Sequence, residues 1–261
     1  MLSFVRMAWF LPKLAMVFMI FAGAACTLST PPPATSEVPD HGTRRIVRER
    51  LSAVVVTARS ELGSWVNQKF SIENAPKDAD GGSAAPITGD GYFLTADHVL
   101  AKSPNRNVFI IYGQGGRVTT SKARIVWRSQ KDDLAVLHIP IKTPFYYQWT
   151  PPSRWLSPGE AIIHGGMATG FKSPPGKLRT SLKPESSFTG NRTFKIDIPL
   201  RPGDSGGPVV DSFGNLVGIN SAVEYLIPLE TAIFIDSEGN RPNVRKLEAI
   251  ITRDRLARNS R

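Results

Sequence analysis

Three short segments carry residue types that together could perform acyl transfer. They are LTADHVL, KDDLAVL and PGDSGGPVV, and they supply His98, Asp133 and Ser205 in that order. A serine hydroxyl is a poor nucleophile at neutral pH, so an imidazole must accept its proton. A carboxylate can then hold the imidazole in the required tautomer and stabilise the imidazolium that forms. The three residues are therefore candidates for this chemistry, with Ser205 as the nucleophile.

The glycines around Ser205 have a separate task. When a serine attacks a carbonyl, negative charge develops on the substrate oxygen and needs hydrogen-bond donors already aimed at it. A tight turn through Gly203, Asp204 and Ser205 can direct the amides of Gly203 and Ser205 at one point, because glycine adopts backbone angles closed to other residues. Taken alone, GDSGG is equally compatible with a plain turn between two strands. The order and spacing of the other two segments favour the catalytic interpretation.

With these segments the chain resembles the trypsin-like serine peptidases of the chymotrypsin fold, and within them the bacterial branch that contains the HtrA/Deg proteases. The resemblance covers roughly residues 50–250 and rests on the segments 87–100, 132–139 and 196–223. It implies an all-β, chymotrypsin-like double β-barrel with a C-terminal helix. The active site would lie in the cleft between the barrels.

The same resemblance implies a role for each site residue. His98 would be the general base, Asp133 the orienting carboxylate and Ser205 the nucleophile, with Gly203 and Ser205 supplying the amides of the oxyanion hole. It implies no metal and no organic cofactor.

Substrate contacts also follow from the resemblance. Ser221, Ala222 and Val223 would form the edge strand along which a peptide lies. Leu200, within the segment 198–201, would line the pocket for the residue before the cleaved bond. Because this segment contains no acid, we expect a preference for small to medium apolar residues, unless loops from elsewhere form the pocket.

The chain departs from the family pattern in two places. HtrA proteins normally carry a PDZ domain after the protease domain, and we expect none here. Asp97 stands before the histidine where animal trypsins have alanine, and no cysteine follows. We expect Asp97 to be an exposed or hydrogen-bonded acid.

Composition limits the alternatives further. The 261 residues carry a formal charge of +10 and a single cysteine, so neither an intramolecular disulfide nor a cysteine-based zinc site is possible. Basic residues concentrate at 44–50 and 245–261, but they lack interleaved aromatics or a nucleic-acid-binding motif. A solvated basic surface without a nucleic-acid partner is therefore the favoured interpretation.

The N-terminal segment has the pattern of an export signal. Residues 1–25 combine basic residues with an apolar stretch of about a dozen residues, which is short for a membrane span. Small residues then precede Cys26, which predicts a lipoprotein signal with Cys26 lipidated. Ordinary cleavage near Ala24 or Ala25 and retention as a membrane anchor are the alternatives. All three place the domain in a bacterial cell envelope, on the periplasmic side.

The proline-rich residues 26–43 predict a flexible tether, followed by the peptidase domain at 44–261. Its barrels should span about 52–140 and 155–240. A strand should run over 92–98 and end at the histidine, whereas residues 77–86 suggest an exposed loop.

Two helical segments are expected. The segment 44–51 predicts a helical turn before a strand at 52–58. An alternative is an activation site whose new N-terminus at Ile46 would pair with Asp204. A C-terminal helix over 242–259 should bury one apolar face, whose residues are Val244, Leu247, Ile250, Ile251 and Leu256.

These observations predict a serine endopeptidase acting on polypeptides, with an undetermined oligomeric state. One alternative is a latent trypsin-like domain that binds envelope proteins. Another is an esterase with the same chemistry, although Ser205 is predicted to lie among strands rather than at the strand–helix turn of esterases.

Overall fold

The computed structural model describes residues 31–34, 39–62, 77–114, 117–170, 174–187, 189–226 and 233–260. The predicted leader (1–25) and Cys26 lie outside these residues, as does much of the predicted tether. In the described ranges, none of the helices combines the length and apolarity that crossing a bilayer requires.

The first barrel is built from antiparallel strands: β1 (Ser52–Thr57), β2 (Asp80–Pro86), β3 (Tyr92–Thr95), β4 (Asn107–Gln114), β5 (Arg117–Lys122), β6 (Arg124–Ser129) and β7 (Leu134–His138). Their order is β5-β4-β1-β2-β3-β7-β6, so β5 and β6 are outermost. Only Ala123 separates these two strands along the chain, and its amide donates to the carbonyl of Val108 at 2.8 Å. β5 and β6 therefore act as one bent strand that closes the sheet into a barrel.

The second barrel follows the same plan. Its strands are β8 (Ala161–His164), β9 (Gly176–Lys177), β10 (Arg192–Ile196), β11 (Pro208–Asp211), β12 (Leu216–Leu226) and β13 (Ile233–Arg241). Their order is β10-β13-β12-β11-β8-β9, which leaves β9 and β10 at the two ends. Hydrogen bonds from the Arg179 amide to the Lys195 carbonyl at 2.7 Å and from the Asp197 amide to the Lys177 carbonyl at 3.1 Å join those ends.

Apolar side chains fill the barrels and the space between them. Every residue of β1, β3 and β7 is buried, as expected for strands rich in valine, leucine and aromatic residues. The core of the first barrel also includes Val210, Leu216 and Ile219 from the second. This shared packing holds the barrels together and fixes the cleft between them. The double barrel predicted from the resemblance is confirmed.

Two α-helices flank the barrels. α1 (His41–Glu49) is capped by Asp40, whose carboxylate accepts from the Thr43 amide at 2.8 Å. This helix confirms the helical segment before β1, but the predicted tether ends too late, because residues 41–43 are helical. α2 (Val244–Asn259) is capped by Asn243 and packs on the first barrel.

The apolar face of α2 is shorter than the sequence suggested. Val244, Leu247 and Ile251 are buried, whereas Leu256 is 67% exposed. Leu256 follows Leu247 by nine residues, which at about 3.6 residues per turn places it on the opposite side of the helix. Charged residues hold the last turns to the barrel instead. Arg124 contacts Asp254 with two hydrogen bonds of 2.8 and 2.6 Å.

Two predictions near the site were wrong. Residues 77–86, expected as an exposed loop, contain β2, whose last five residues are buried between β1 and β3. The strand expected over 92–98 ends at Thr95, and His98 lies in the short 3-10 helix Asp97–Leu100. Small residues allow β2 to approach the second barrel closely, which local sequence patterns do not reveal.

Candidate active site

Two neighbouring antiparallel strands bring His98 and Asp133 together. Thr95, at the end of β3, lies opposite Ala135, near the start of β7. His98 follows the first strand and Asp133 precedes the second, so the two side chains meet at one end of the barrel. The distances from Nδ1 of His98 to the carboxylate oxygens of Asp133 are 3.0 and 2.9 Å. The His98 amide also donates to Oδ1 at 2.9 Å, which fixes the carboxylate relative to the ring.

This pairing shifts the pKa of both groups. Burial by itself would raise the pKa of Asp133, but hydrogen bonds from His98 and Ser221 outweigh burial and lower the pKa to about 2. The hydrogen bond with Asp133 raises the pKa of His98 above 6.5, although burial opposes it. Asp133 is therefore ionised at neutral pH, and it favours the imidazolium form of His98.

Ser205 lies in a turn between β10 and β11 that needs glycine on both sides. Gly203 has φ of 103° and Gly206 has φ of 82°, in the left-handed region that favours glycine. A Cβ on Gly206 would also lie 2.2 Å from the carbonyl oxygen of Ser83. Because β11 follows the turn directly, Ser205 is not at the strand–helix turn of the esterase alternative.

The amides of this turn fall into two groups. Those of Asp204, Gly206 and Gly207 each donate to a backbone carbonyl, at 2.8–2.9 Å. Within the described part of the chain, the amides of Gly203 and Ser205 have no protein acceptor. These are the two donors predicted for the oxyanion hole, and they are available to a ligand.

Asp204 is fully buried, and its carboxylate stabilises the turn through hydrogen bonds. Its carboxylate accepts from the amides of Ala168 at 3.1 Å, Thr169 at 2.9 Å and Arg201 at 3.0 Å, and from the Thr169 hydroxyl. The carboxylate is thus satisfied within the second barrel. Ile46, the new N-terminus in the activation alternative, is instead part of α1.

Ser221 connects Ser205 to the other two candidates. The Ser205 hydroxyl donates to the Ser221 carbonyl at 3.4 Å, and the Ser221 hydroxyl donates to Oδ2 of Asp133. Ser205, His98 and Asp133 are therefore gathered at one place. The Ser205 hydroxyl thus donates to a backbone carbonyl of β12.

The predicted substrate strand begins at the residue that Ser205 contacts. Pairing of β12 with β11 ends at Ile219, whereas β12 remains paired with β13 through Ala222 and Val223. Among the described residues, no strand covers the other edge of 221–223, the edge that receives the Ser205 hydroxyl. An extended peptide could add to that edge through backbone hydrogen bonds.

Leu200 is only 6% exposed, between the exposed residues Pro199 and Arg201. Its role in a specificity pocket stays a prediction.

Two contributors to the site were missed by sequence reasoning. Ser83 on β2 contacts the turn that carries Ser205, although its segment was expected to be an exposed loop. Arg128 on β6 pairs with Asp97, which is buried and hydrogen-bonded rather than exposed. The substitution of alanine by Asp97 was visible in the sequence, but its partner lies on another strand.

Two buried histidines, His138 and His164, lie outside this site. The His138 ring contacts the Tyr92 ring at a tilt of 56°, with ring centroids 4.6 Å apart, and His164 contacts Asn220 at 3.2 Å. Burial lowers the pKa of both. In the described ranges, no three side chains of His, Cys, Asp or Glu are grouped as metal ligands would be.

Comparison with known proteins identifies the family. The family model described as a trypsin-like peptidase domain matches residues 82–219, which include His98, Asp133 and Ser205. The chain belongs to the trypsin-like peptidase family. The resemblance stated from the sequence is thereby confirmed.

Two similar proteins come from bacteria. The chain is 30% identical over 139 residues to a "Serine protease Do-like HtrA" of Lactobacillus helveticus, covering 51% of this chain and 32% of the relative. It is 28% identical over 217 residues to a "Probable periplasmic serine endoprotease DegP-like" of Pseudomonas fluorescens, covering 78% and 42%. The chain therefore spans less than half the length of these relatives.

Solved structures agree on the fold of this peptidase domain. The structure of an "HtrA-type protease AlgW with decapeptide" superimposes with a TM-score of 0.56 at 18% identity, covering 80% of this chain and 66% of that one. This level of identity supports the shared double barrel alone.

Proposed function

We propose that this domain is a serine endopeptidase that cleaves peptide bonds through an acyl-enzyme intermediate. The observation that carries the proposal is the pairing of His98 with Asp133 at 2.9 and 3.0 Å, beside a serine whose turn leaves two amides without protein acceptors in the described residues. Family membership supports this assignment. In this proposal each group takes a part in acyl transfer.

In the first step, the Ser205 oxygen adds to the scissile carbonyl while its proton passes to Nε2 of His98, because Nδ1 is occupied by Asp133. The amides of Gly203 and Ser205 stabilise the oxyanion of the tetrahedral intermediate. The C–N bond then breaks as His98 gives the proton to the leaving amine. Water, deprotonated by His98, hydrolyses the resulting ester and restores the serine hydroxyl.

Polypeptides are the proposed substrates and the proposed partners. A peptide would bind along Ser221, Ala222 and Val223, whose free edge receives the Ser205 hydroxyl. Leu200 would contribute to the pocket before the cleaved bond, with a preference for small to medium apolar residues. The AlgW protease, which shares the fold, was solved with a decapeptide, and this supports peptides as the class of ligand.

A bacterial envelope location on the periplasmic side is also proposed. It is supported by the leader pattern of residues 1–25 and by the word "periplasmic" in the name of a relative. Lipidation of Cys26 would tether the domain to a membrane. Incorporation of an alkynyl fatty acid into the full chain, but not into Cys26→Ala, would support lipidation. Equal incorporation into both would contradict it.

A fluorophosphonate probe tests the catalytic proposal, because it reacts only with an activated serine. The full chain should be labelled, Ser205→Ala should not, and Asp133→Asn should react far more slowly. Ser187→Ala, which changes an exposed serine outside the site, is the matched control and should label like the wild type. A folded wild-type chain that neither labels nor cleaves a denatured polypeptide would favour the latent domain instead.

A further inference from the structure

Ser83 is a fully buried residue of β2 that reaches across to the catalytic turn. Its amide donates to the Ser205 carbonyl at 2.7 Å, and its hydroxyl donates to the Gly203 carbonyl at 2.6 Å. One residue of the first barrel thus holds the carbonyls of both residues whose amides face the proposed oxyanion hole. Backbone pairing needs no particular side chain, but the contact with Gly203 requires the hydroxyl.

The contact with Gly203 is one of two restraints on the peptide unit that follows this glycine. The peptide between Gly203 and Asp204 is held at its carbonyl by Ser83 and at its amide by the Arg201 carbonyl, at 2.9 Å. Glycine has several accessible backbone conformations, so its own amide is not fixed by sterics. Fixing the following peptide restricts rotation about the Cα–C bond of Gly203, which leaves fewer conformations to a residue whose φ is 103°.

The hydroxyl of Ser83 is itself oriented by its surroundings. It accepts from the Met167 amide at 2.8 Å, and the Ser83 carbonyl accepts from the Thr95 hydroxyl at 2.8 Å. A hydroxyl has one proton to donate. Because Met167 occupies an acceptor position, the proton of Ser83 is directed to Gly203.

We propose that Ser83 is a positioning residue for the oxyanion hole, acting through the carbonyl of Gly203 rather than by touching substrate. The inference rests on the proposed serine peptidase function and adds a specific support to it. The hydroxyl keeps the Gly203 amide aimed at the cleft before substrate arrives. Loss of the hydroxyl should therefore weaken binding of the transition state more than binding of the substrate.

The variant Ser83→Ala removes the hydroxyl and keeps the backbone bond to Ser205. Removing an oxyanion-hole donor outright lowers kcat by about 100- to 1,000-fold. Ser83→Ala keeps the Gly203 amide and removes only the hydroxyl that positions it. This should lower kcat by about 10- to 100-fold, with KM changed by less than about twofold. A peptide boronic acid, whose adduct with Ser205 places an oxygen in the hole, should lose affinity by a similar factor.

Thr143→Val is the matched control. The Thr143 hydroxyl is also fully buried, accepts from a backbone amide at 3.1 Å and donates to a backbone carbonyl, but it contacts Gly91 and Thr88 away from the site. Both variants should lower the melting temperature, and only Ser83→Ala should lower kcat. If Ser83→Ala fails to fold, Ser83→Cys keeps a weaker donor and should show a smaller loss that is still selective for kcat.

The outcomes separate two failures. If the wild type cleaves peptide and Ser205→Ala does not, but the Ser83 variant keeps wild-type kcat, the role of Ser83 is wrong and the proposed function stands. An equal loss of kcat in Thr143→Val also contradicts a specific role for Ser83. If the folded wild type is inactive, the proposed function fails, and the role of Ser83 fails with it.

Discussion

Asp97 forms a bidentate ion pair with Arg128, directly before the histidine that pairs with Asp133. Nε of Arg128 lies 2.6 Å from Oδ1, and Nη2 lies 3.0 Å from Oδ2. Arg128 also donates to the Asp97 carbonyl at 3.3 Å and to the Ser103 hydroxyl at 3.2 Å. The pair thus attaches the 3-10 helix that carries His98 to β6, and it compensates a buried negative charge beside the imidazole.

Removal of Arg128 and removal of Asp97 should shift the pH profile of activity in opposite directions. The negative charges of Asp133 and, to a smaller extent, Asp97 favour the imidazolium form and raise the pKa of His98. Arg128→Ala leaves the Asp97 charge uncompensated, so the pKa of His98 should rise and the acid limb of kcat/KM should move to higher pH. Asp97→Ala should move it to lower pH. The profile should be recorded from about pH 5 to about pH 9.

Arg124→Ala is the matched control for this pair. Arg124 lies on the same strand and forms a bidentate pair with Asp254, outside the site. It should lower stability without moving the acid limb. Equal acid limbs in the wild type, Arg128→Ala and Asp97→Ala would contradict an electrostatic role for the pair.

The acid limb of the wild-type pH profile should lie at higher pH than an unpaired histidine would give. A general base must be neutral, and the hydrogen bond with Asp133 raises the pKa of His98 above 6.5. Activity should therefore fall as pH decreases through a midpoint above 6.5. Asp133→Asn removes the carboxylate, so kcat should fall by about 10,000-fold and the midpoint of any residual activity should decrease. A midpoint in Asp133→Asn at or above that of the wild type would contradict the assigned pairing.

Asp133 should also make stability depend on acid pH. The pKa of Asp133 is lowered from 3.8 to about 2 in the folded state, so the folded protein favours the ionised form of this side chain over the protonated form. This contribution to stability is complete above about pH 4, is lost as pH falls through about 2, and amounts to about 2 kcal/mol. Urea unfolding at several pH values should show a decline over this range that is smaller in Asp133→Asn. Identical declines would show that Asp133 does not contribute.

The parts of the site that sequence predicts are those determined by local chemistry. The sequence indicates the turn at Gly203–Ser205, and it also indicates His98 and Asp133, which lie at the ends of β3 and β7. The combination of these three segments, in this order along the chain, is uncommon outside acyl-transfer sites. The helix α2 is likewise indicated by a local periodicity of Val244, Leu247 and Ile251.

The parts that were missed depend on distant contacts. β2 consists largely of glycine, serine and alanine, which resemble loop residues until the strand is placed against Ser205. Ser83 and Gly203 are separated by 120 positions in the chain, and nothing near Ser83 indicates that contact. The partner of Asp97 was hidden for the same reason.

The edge of residues 221–223 that no described strand covers predicts a specific dependence on the substrate backbone. Replacing amides of a peptide substrate by N-methyl amides, one at a time, should raise KM or lower kcat/KM only at positions that pair with residues 221–223. Each lost hydrogen bond of about 1 kcal/mol corresponds to about a fivefold decrease. The matched control is N-methylation near the ends of the same peptide. A uniform effect at all positions would contradict strand addition at this edge.

Packing of α2 on the first barrel gives a paired stability prediction. Leu247 is 2% exposed within the core of that barrel, whereas Leu256, on the same helix, is 67% exposed. Leu247→Ala should lower the free energy of unfolding by about 2–4 kcal/mol, because it leaves a cavity. Leu256→Ala should change it by less than about 0.5 kcal/mol. Both leucines lie in one helix and undergo the same substitution, so intrinsic helix propensity cancels between them. A similar loss in both variants would mean that the far end of α2 is packed as the sequence pattern first suggested.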